Sequence, residues 1–165
     1  MTIHYSSQFA STGFRGTSAG ADSVVTTAYA SNTPGIDREG QEVTIDCTYA
    51  VTTTNPVTFT NSDTIRIAGP FPANCRLQDL DIISSADMDT DNDFTFDLGW
   101  TSAPNTFLND STGIQAGATV SLTVAQASGG AVSAEGDYLL ITVAAGELEA
   151  AGTLRFRGHV SYPGN

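Results

Sequence analysis

Four aspartates at alternate positions are the densest chemistry in this sequence: Asp87, Asp89, Asp91 and Asp93 stand in the run Asp87-Met88-Asp89-Thr90-Asp91-Asn92-Asp93, with Asp97 close behind. Alternate carboxylates that converge on one point suit a hard cation such as Ca²⁺, which takes about six to eight oxygen ligands. The first three match the opening of a helix-loop-helix calcium loop. The match then breaks, because Asn92 stands where that loop needs glycine and Leu98 where it needs a bidentate glutamate. The flanking segments also read as strands rather than helices. Two readings stay open for these residues: a calcium site, or a solvated acidic hairpin turn.

No other constellation assembles a reaction. Glycoside hydrolysis needs two carboxyl groups flanking one bond, but many aspartates crowd into one loop. The glutamates Glu39, Glu42, Glu135, Glu147 and Glu149 carry nothing that separates an acid from a nucleophile. A Gly-x-Ser-x-Gly elbow is absent, and the two histidines, His4 and His159, are far apart in the chain. Cys47 and Cys75 lie in no motif that would activate a thiol, and two cysteines with two scattered histidines do not make a zinc site. No glycine-rich phosphate loop follows a strand and opens a helix. The chain is therefore not expected to be an enzyme, and calcium is its one candidate cofactor. Arg155, Arg157 and His159 share a face of the last strand, where they either meet acidic residues of a neighbouring subunit or face solvent. Trp100 continues the face of Phe94, Phe96 and Leu98, a core position rather than a sugar-binding platform.

The elements that must position these groups are strands. Val43, Ile45, Cys47, Tyr49 and Val51 alternate with polar residues, as do Phe94, Phe96, Leu98 and Trp100. Val120, Leu122 and Val124 repeat the pattern, and Leu154, Phe156, Val160 and Tyr162 close it opposite Arg155, Arg157, His159 and Ser161. Shorter strands are predicted at Val24 to Ala30, around Ile65 and Ile67, and from Arg76 to Ser84. Gly69-Pro70-Phe71-Pro72 interrupts, since no central strand tolerates it. Tyr138 to Ala144 is apolar enough for burial on both faces. The expectation is an all-β fold: a single antiparallel β-sandwich, jelly-roll-like, over residues 36–165, preceded by an extended polar N-terminal arm over residues 1–35.

Charge narrows the partners. With Asp+Glu 18 against Lys+Arg 6, the formal net charge is −12, which repels a phosphate backbone. Nucleic acid is thus not an expected partner. Nor is a membrane, for no stretch approaches the roughly 20 apolar residues of a spanning helix. The start of the chain lacks a basic, apolar export signal, so synthesis in a cytoplasm and two buried free thiols are expected, with a disulfide as the alternative.

The succession of segments resembles the small head proteins of tailed bacteriophages, of the capsid decoration or cement type. It runs through Arg38-Glu39-Gly40-Gln41-Glu42 and the strand to Val51, then Asp63-Thr64-Ile65-Arg66-Ile67-Ala68, then Phe71 to Asp79. The acidic turn, Phe94-Thr95-Phe96-Asp97-Leu98-Gly99-Trp100, Gly136-Asp137-Tyr138-Leu139-Leu140 and the final strand complete it, so that most of residues 38 to 162 is covered. One departure is Asn74 in Pro72-Ala73-Asn74-Cys75-Arg76, where the pattern has glycine. The resemblance implies a virion protein on the outer capsid surface, often a homotrimer at local threefold positions. Its partners would be the major capsid protein and its own copies, clamped between capsomers. For that role the polar residues 1–35 are expected to form a docking or subunit-linking arm. The alternatives are a head-fibre, tail or adaptor component, or a non-catalytic carbohydrate-binding sandwich.

Overall fold

The structure is a computed structural model that describes residues 3–5, 42–51, 62–114, 119–122 and 131–162. Within them run β1 (Ile3–Tyr5), β2 (Glu42–Val51), β3 (Thr64–Phe71), β4 (Arg76–Ser84) and β5 (Thr95–Trp100). There follow β6 (Ala103–Ser111), β7 (Thr119–Leu122), β8 (Asp137–Ala145) and β9 (Gly152–Ser161). One sheet has the order β1-β3-β8-β5-β6 and the other β2-β9-β4-β7. Apart from β1, which pairs in parallel with β3, every pairing is antiparallel. Leaving β1 aside, four strands face four in a jelly-roll-like order, so the all-β sandwich expected from the alternation is the fold.

The alternation is what builds the core. Side chains on a strand point to opposite faces in turn, and in β9 Leu154, Phe156 and Val160 are buried while Arg155 and Arg157 are exposed. Phe96, Leu98 and Trp100 of β5 meet them from the facing sheet, all within the same buried cluster. Burial of each such side chain contributes about 1.5–3 kcal/mol. β8 is enclosed on both faces at its centre, where Leu139, Leu140 and Ile141 are all buried, as its apolar run requires.

Two strands bend the rule by one residue. In β4, Leu77, Leu80 and Ile82 are buried while Gln78 and Asp79 are both half-buried, and the register with β9 slips between Leu77 and Asp79. This bulge restores the inward phase after the slip. Gly158 sits against it; a Cβ there would lie 2.2 Å from the Asp79 carbonyl oxygen, so the close approach admits only glycine.

The second bend corrects an expectation. β3 does not stop before Pro70 but runs to Phe71, with register slips on either side of Ala68. It tolerates proline because β1 pairs only with Thr64 to Arg66, leaving Pro70 beyond the covered stretch and within an irregular ladder. Asn74 takes φ 68°, the left-handed conformation that its glycine counterpart would adopt. Of the expected arm, Ile3–Tyr5 forms β1. The proposed strand Val24 to Ala30 and the remainder of the arm lie outside the described residues.

Candidate functional site

The acidic run forms the turn between β4 and β5, and its anchor is apolar. Met88 is fully buried, and its carbonyl oxygen accepts the N–H groups of Glu149 at 2.9 Å and Ala150 at 3.3 Å. Thr90 Oγ1 donates to the Glu149 carboxylate, which fastens the turn to the segment before β9 a second time. With Met88 inward, the alternate aspartates are offered outward together.

Asp89 is the exception to that outward direction. It is 1% exposed, and its Oδ1 accepts the N–H of Asp93 at 3.1 Å and of Phe94 at 3.2 Å. Those bonds hold the turn closed. Its Oδ2 is buried with no hydrogen-bond partner. Asp89, Asp91 and Asp93 each bring a ligand oxygen within 4.8 Å of the other two.

The expected set of four thus becomes a group of three. Asp87 stands outside it, and accepts the Asp89 N–H at 3.3 Å. Asn92, the residue that broke the calcium-loop pattern, takes φ 63°, so it supplies the backbone turn that glycine would have made. Partial desolvation, then the charges of Asp91 and Asp89, hold the Asp93 carboxyl above the usual carboxylate range, against a lowering hydrogen bond from the Glu147 backbone. Gly146, at φ 69°, permits that closeness, since a Cβ there would meet Asp93 Oδ1 at 2.2 Å.

The outer face of the β2-β9-β4-β7 sheet is the second polar assembly. Arg157 stands directly opposite Asp46 on one side and Asp81 on the other. The ion pair that forms is diagonal: Arg155 Nε and Nη2 donate to the two oxygens of Asp46 at 3.0 and 2.9 Å. Of the two arginines proposed to meet a partner, Arg155 is therefore engaged within its own sheet. Arg157 is exposed and makes no hydrogen bond or ion pair among the described residues. His159 Nδ1 lies 3.0 Å from Asp79 Oδ1 and 3.8 Å from Glu42 Oε1, a carboxylate environment rather than the side of a hydroxyl or thiol nucleophile.

Cys47 and Cys75 are buried thiols rather than a disulfide, and Cys47 Sγ donates to the Ile67 carbonyl oxygen. Burial pushes the Cys75 thiol up, a hydrogen bond from Ser133 opposes this, and Glu135 adds to the rise. A protonated, enclosed thiol is a poor nucleophile. At neutral pH the native chain should show almost no reaction with an aromatic disulfide reagent, and two thiols per chain after denaturation. Fast labelling of the native protein would contradict the burial. Trp100 is fully buried and offers no stacking face to a sugar.

Sequence reasoning missed β6. Its nine residues Ala103–Ser111 bury only Phe107, and Pro104, Asn105, Asn109 and Asp110 give it the composition of a loop. As an edge strand it needs few apolar contacts, and its one signal was the isolated Phe107-Leu108 pair.

These features define a class: a two-sheet antiparallel sandwich with a charge-laddered outer face and a carboxylate-rich turn. Solved phage capsids contain chains of this fold. A chain of the Ralstonia phage GP4 capsid matches with a TM-score of 0.60 at 17% identity, covering 99% of this chain and 99% of that one. A chain of the cyanophage Pam1 capsid asymmetric unit matches with a TM-score of 0.57 at 21% identity, covering 87% of this chain and 99% of that one. At such identities the likeness is one of fold. No protein-family model and no curated protein sequence matches the chain.

Proposed function

We propose that the chain is a structural protein of a bacteriophage particle that binds the outer surface of the capsid between capsomers and stabilises it. The observation that carries this reading is the end-to-end likeness to a chain of the Ralstonia phage GP4 capsid, with 99% of both chains covered. A second capsid chain of the same fold supports it. So does the surface, where charge is arranged in cross-strand ladders suited to contact.

Several copies acting together suit this task, because linked weak contacts gain strength by raising the effective concentration of each other. We assign the copies to a homotrimer and the partner to the major capsid protein. Exposed Arg157, flanked by Asp46 and Asp81, is the residue expected to reach an acidic group on that neighbour.

The experiment adds purified protein to heads that lack it, then measures co-sedimentation and images the particles. Ordered density at capsomer junctions is the expected result, with light scattering giving three times 17.1 kDa in solution. Density confined to a tail or a fibre base would replace this reading with a head-fibre, tail or adaptor role. Arg157→Ala should weaken occupancy, and most at low salt, while the melting temperature stays within about 2 °C. Unaltered occupancy would remove Arg157 from the contact.

A further inference from the structure

We propose that Asp89, Asp91 and Asp93 form a calcium site in the turn between β4 and β5, with the buried Oδ2 of Asp89 as its innermost ligand. The inference is independent of the virion reading and stands on the turn alone.

The decisive observation is an unmet electrostatic need. Asp89 is 1% exposed, and two N–H donors converge on Oδ1 while Oδ2 is buried with nothing opposite. A buried carboxylate with an unpartnered oxygen is costly, because neither water nor a counter-charge replaces its lost hydration. No arginine is paired with Asp89 among the described residues. The groups beside the Asp89 carboxylate are anionic too: Asp91 and Asp93 each present a carboxylate oxygen within 4.8 Å of one of its oxygens. Three carboxylates so placed repel one another, and a cation among them turns that repulsion into attraction.

The donor set selects the ion. All three ligands are hard carboxylate oxygens, with no nitrogen or sulfur to favour zinc or copper. Asp91 and Asp93 are exposed, so solvent can complete a coordination shell of about six to eight oxygens, as Ca²⁺ accepts. Mg²⁺ demands a tighter octahedron and sheds its water reluctantly. The chain's charge of −12 also raises the local concentration of any cation.

The test uses the full chain, freed of metal with a chelator and melted in CaCl₂, in MgCl₂ and in NaCl at matched ionic strength. Calcium at a hundredfold excess over its dissociation constant should raise the melting temperature by about 5–10 °C. Titration calorimetry should give one ion per chain. Asp91→Asn and Asp93→Asn replace exposed groups, should fold without calcium, and should lose most of the shift. Asp89→Asn should also lose it, while its amide oxygen retains the bonds to Asp93 and Phe94. Asp110→Asn, outside the turn, should keep the full response. The site is overturned if CaCl₂ leaves the melting temperature of the unaltered chain unchanged, which would assign a water to Oδ2. It is equally overturned if MgCl₂ matches CaCl₂, or if Asp91→Asn responds undiminished, since either result would mean general screening of an acidic surface.

Discussion

Trp100→Ala is expected to lower stability by about 3–5 kcal/mol, which for a chain of this length is a fall in melting temperature of roughly 6–20 °C. Trp100 is fully buried, and its ring meets Phe71 edge-on at 5.6 Å and Phe107 at 5.5 Å. Phe71 in turn meets Tyr162 at 6.2 Å, just past the end of β9. Trp100 thus joins β5 to β3 and to β6, with Phe71 carrying the cluster on to Tyr162, and its removal leaves a cavity that rigid strands cannot close. Trp100 Nε1 is buried with no hydrogen-bond partner, so Trp100→Phe loses no bond and should cost distinctly less. Urea unfolding followed by circular dichroism measures both variants without relying on the tryptophan signal. A Trp100→Ala protein that melts within 2 °C of the original would show that this aromatic cluster is not a structural centre.

The second large effect is expected at Asp137. This residue opens β8, is buried, and uses both oxygens: Oδ1 accepts the Ser102 N–H at 3.0 Å, while Oδ2 accepts Ser102 Oγ and the Ala134 N–H, each at 2.6 Å. It thereby ties the β5–β6 turn to the turn that launches β8. Asp137→Ala removes the charge and strands two backbone donors, at a cost of about 2–4 kcal/mol. Asp137→Asn is informative because it is nearly the same size. Whichever way the amide points, its NH₂ faces either the Ser102 or the Ala134 N–H, so the variant should remain well below the original in stability. Amide exchange at Ser102 and Ala134 should quicken in both variants. If Asp137→Asn proves neutral, the bonds hold no energy worth the name and the two turns are fixed by packing instead.

Much of this architecture is readable without coordinates, wherever a period of two is unbroken. The faces of β2, β5 and β9 follow directly from their alternation, because a sheet with one solvated side must sort its residues that way. β4 carried a subtler trace: Leu77, Leu80 and Ile82 are spaced by three and then two, which is the mark of its bulge. β6 left almost none, since an edge strand gains its order from backbone pairing with β5 and not from its side chains. The run through Pro70 was misleading for a related reason. Whether proline is tolerated depends on which neighbour covers that stretch of strand, and no local pattern contains that information.

The acidic turn divides in the same way. Its alternate aspartates were visible as a group able to hold a cation, but all four looked alike. Folding distinguishes them: Met88 enters the core and draws Asp89 in with it, Asp87 is left to bond a backbone N–H, and Asp91 and Asp93 remain outside beside the buried carboxylate. Likewise Arg155 and Arg157 were equivalent members of a stripe until β2 arrived alongside and Asp46 took one of them. By itself the sequence determined the strands whose alternation is unbroken, the facing of their side chains, the net charge and the candidate ligands, because these follow from neighbours along the chain. Only the tertiary structure decided which carboxylate is buried, which arginine is free and where the ladder may slip. Those depend on residues distant in sequence, whose approach sets burial and partner choice.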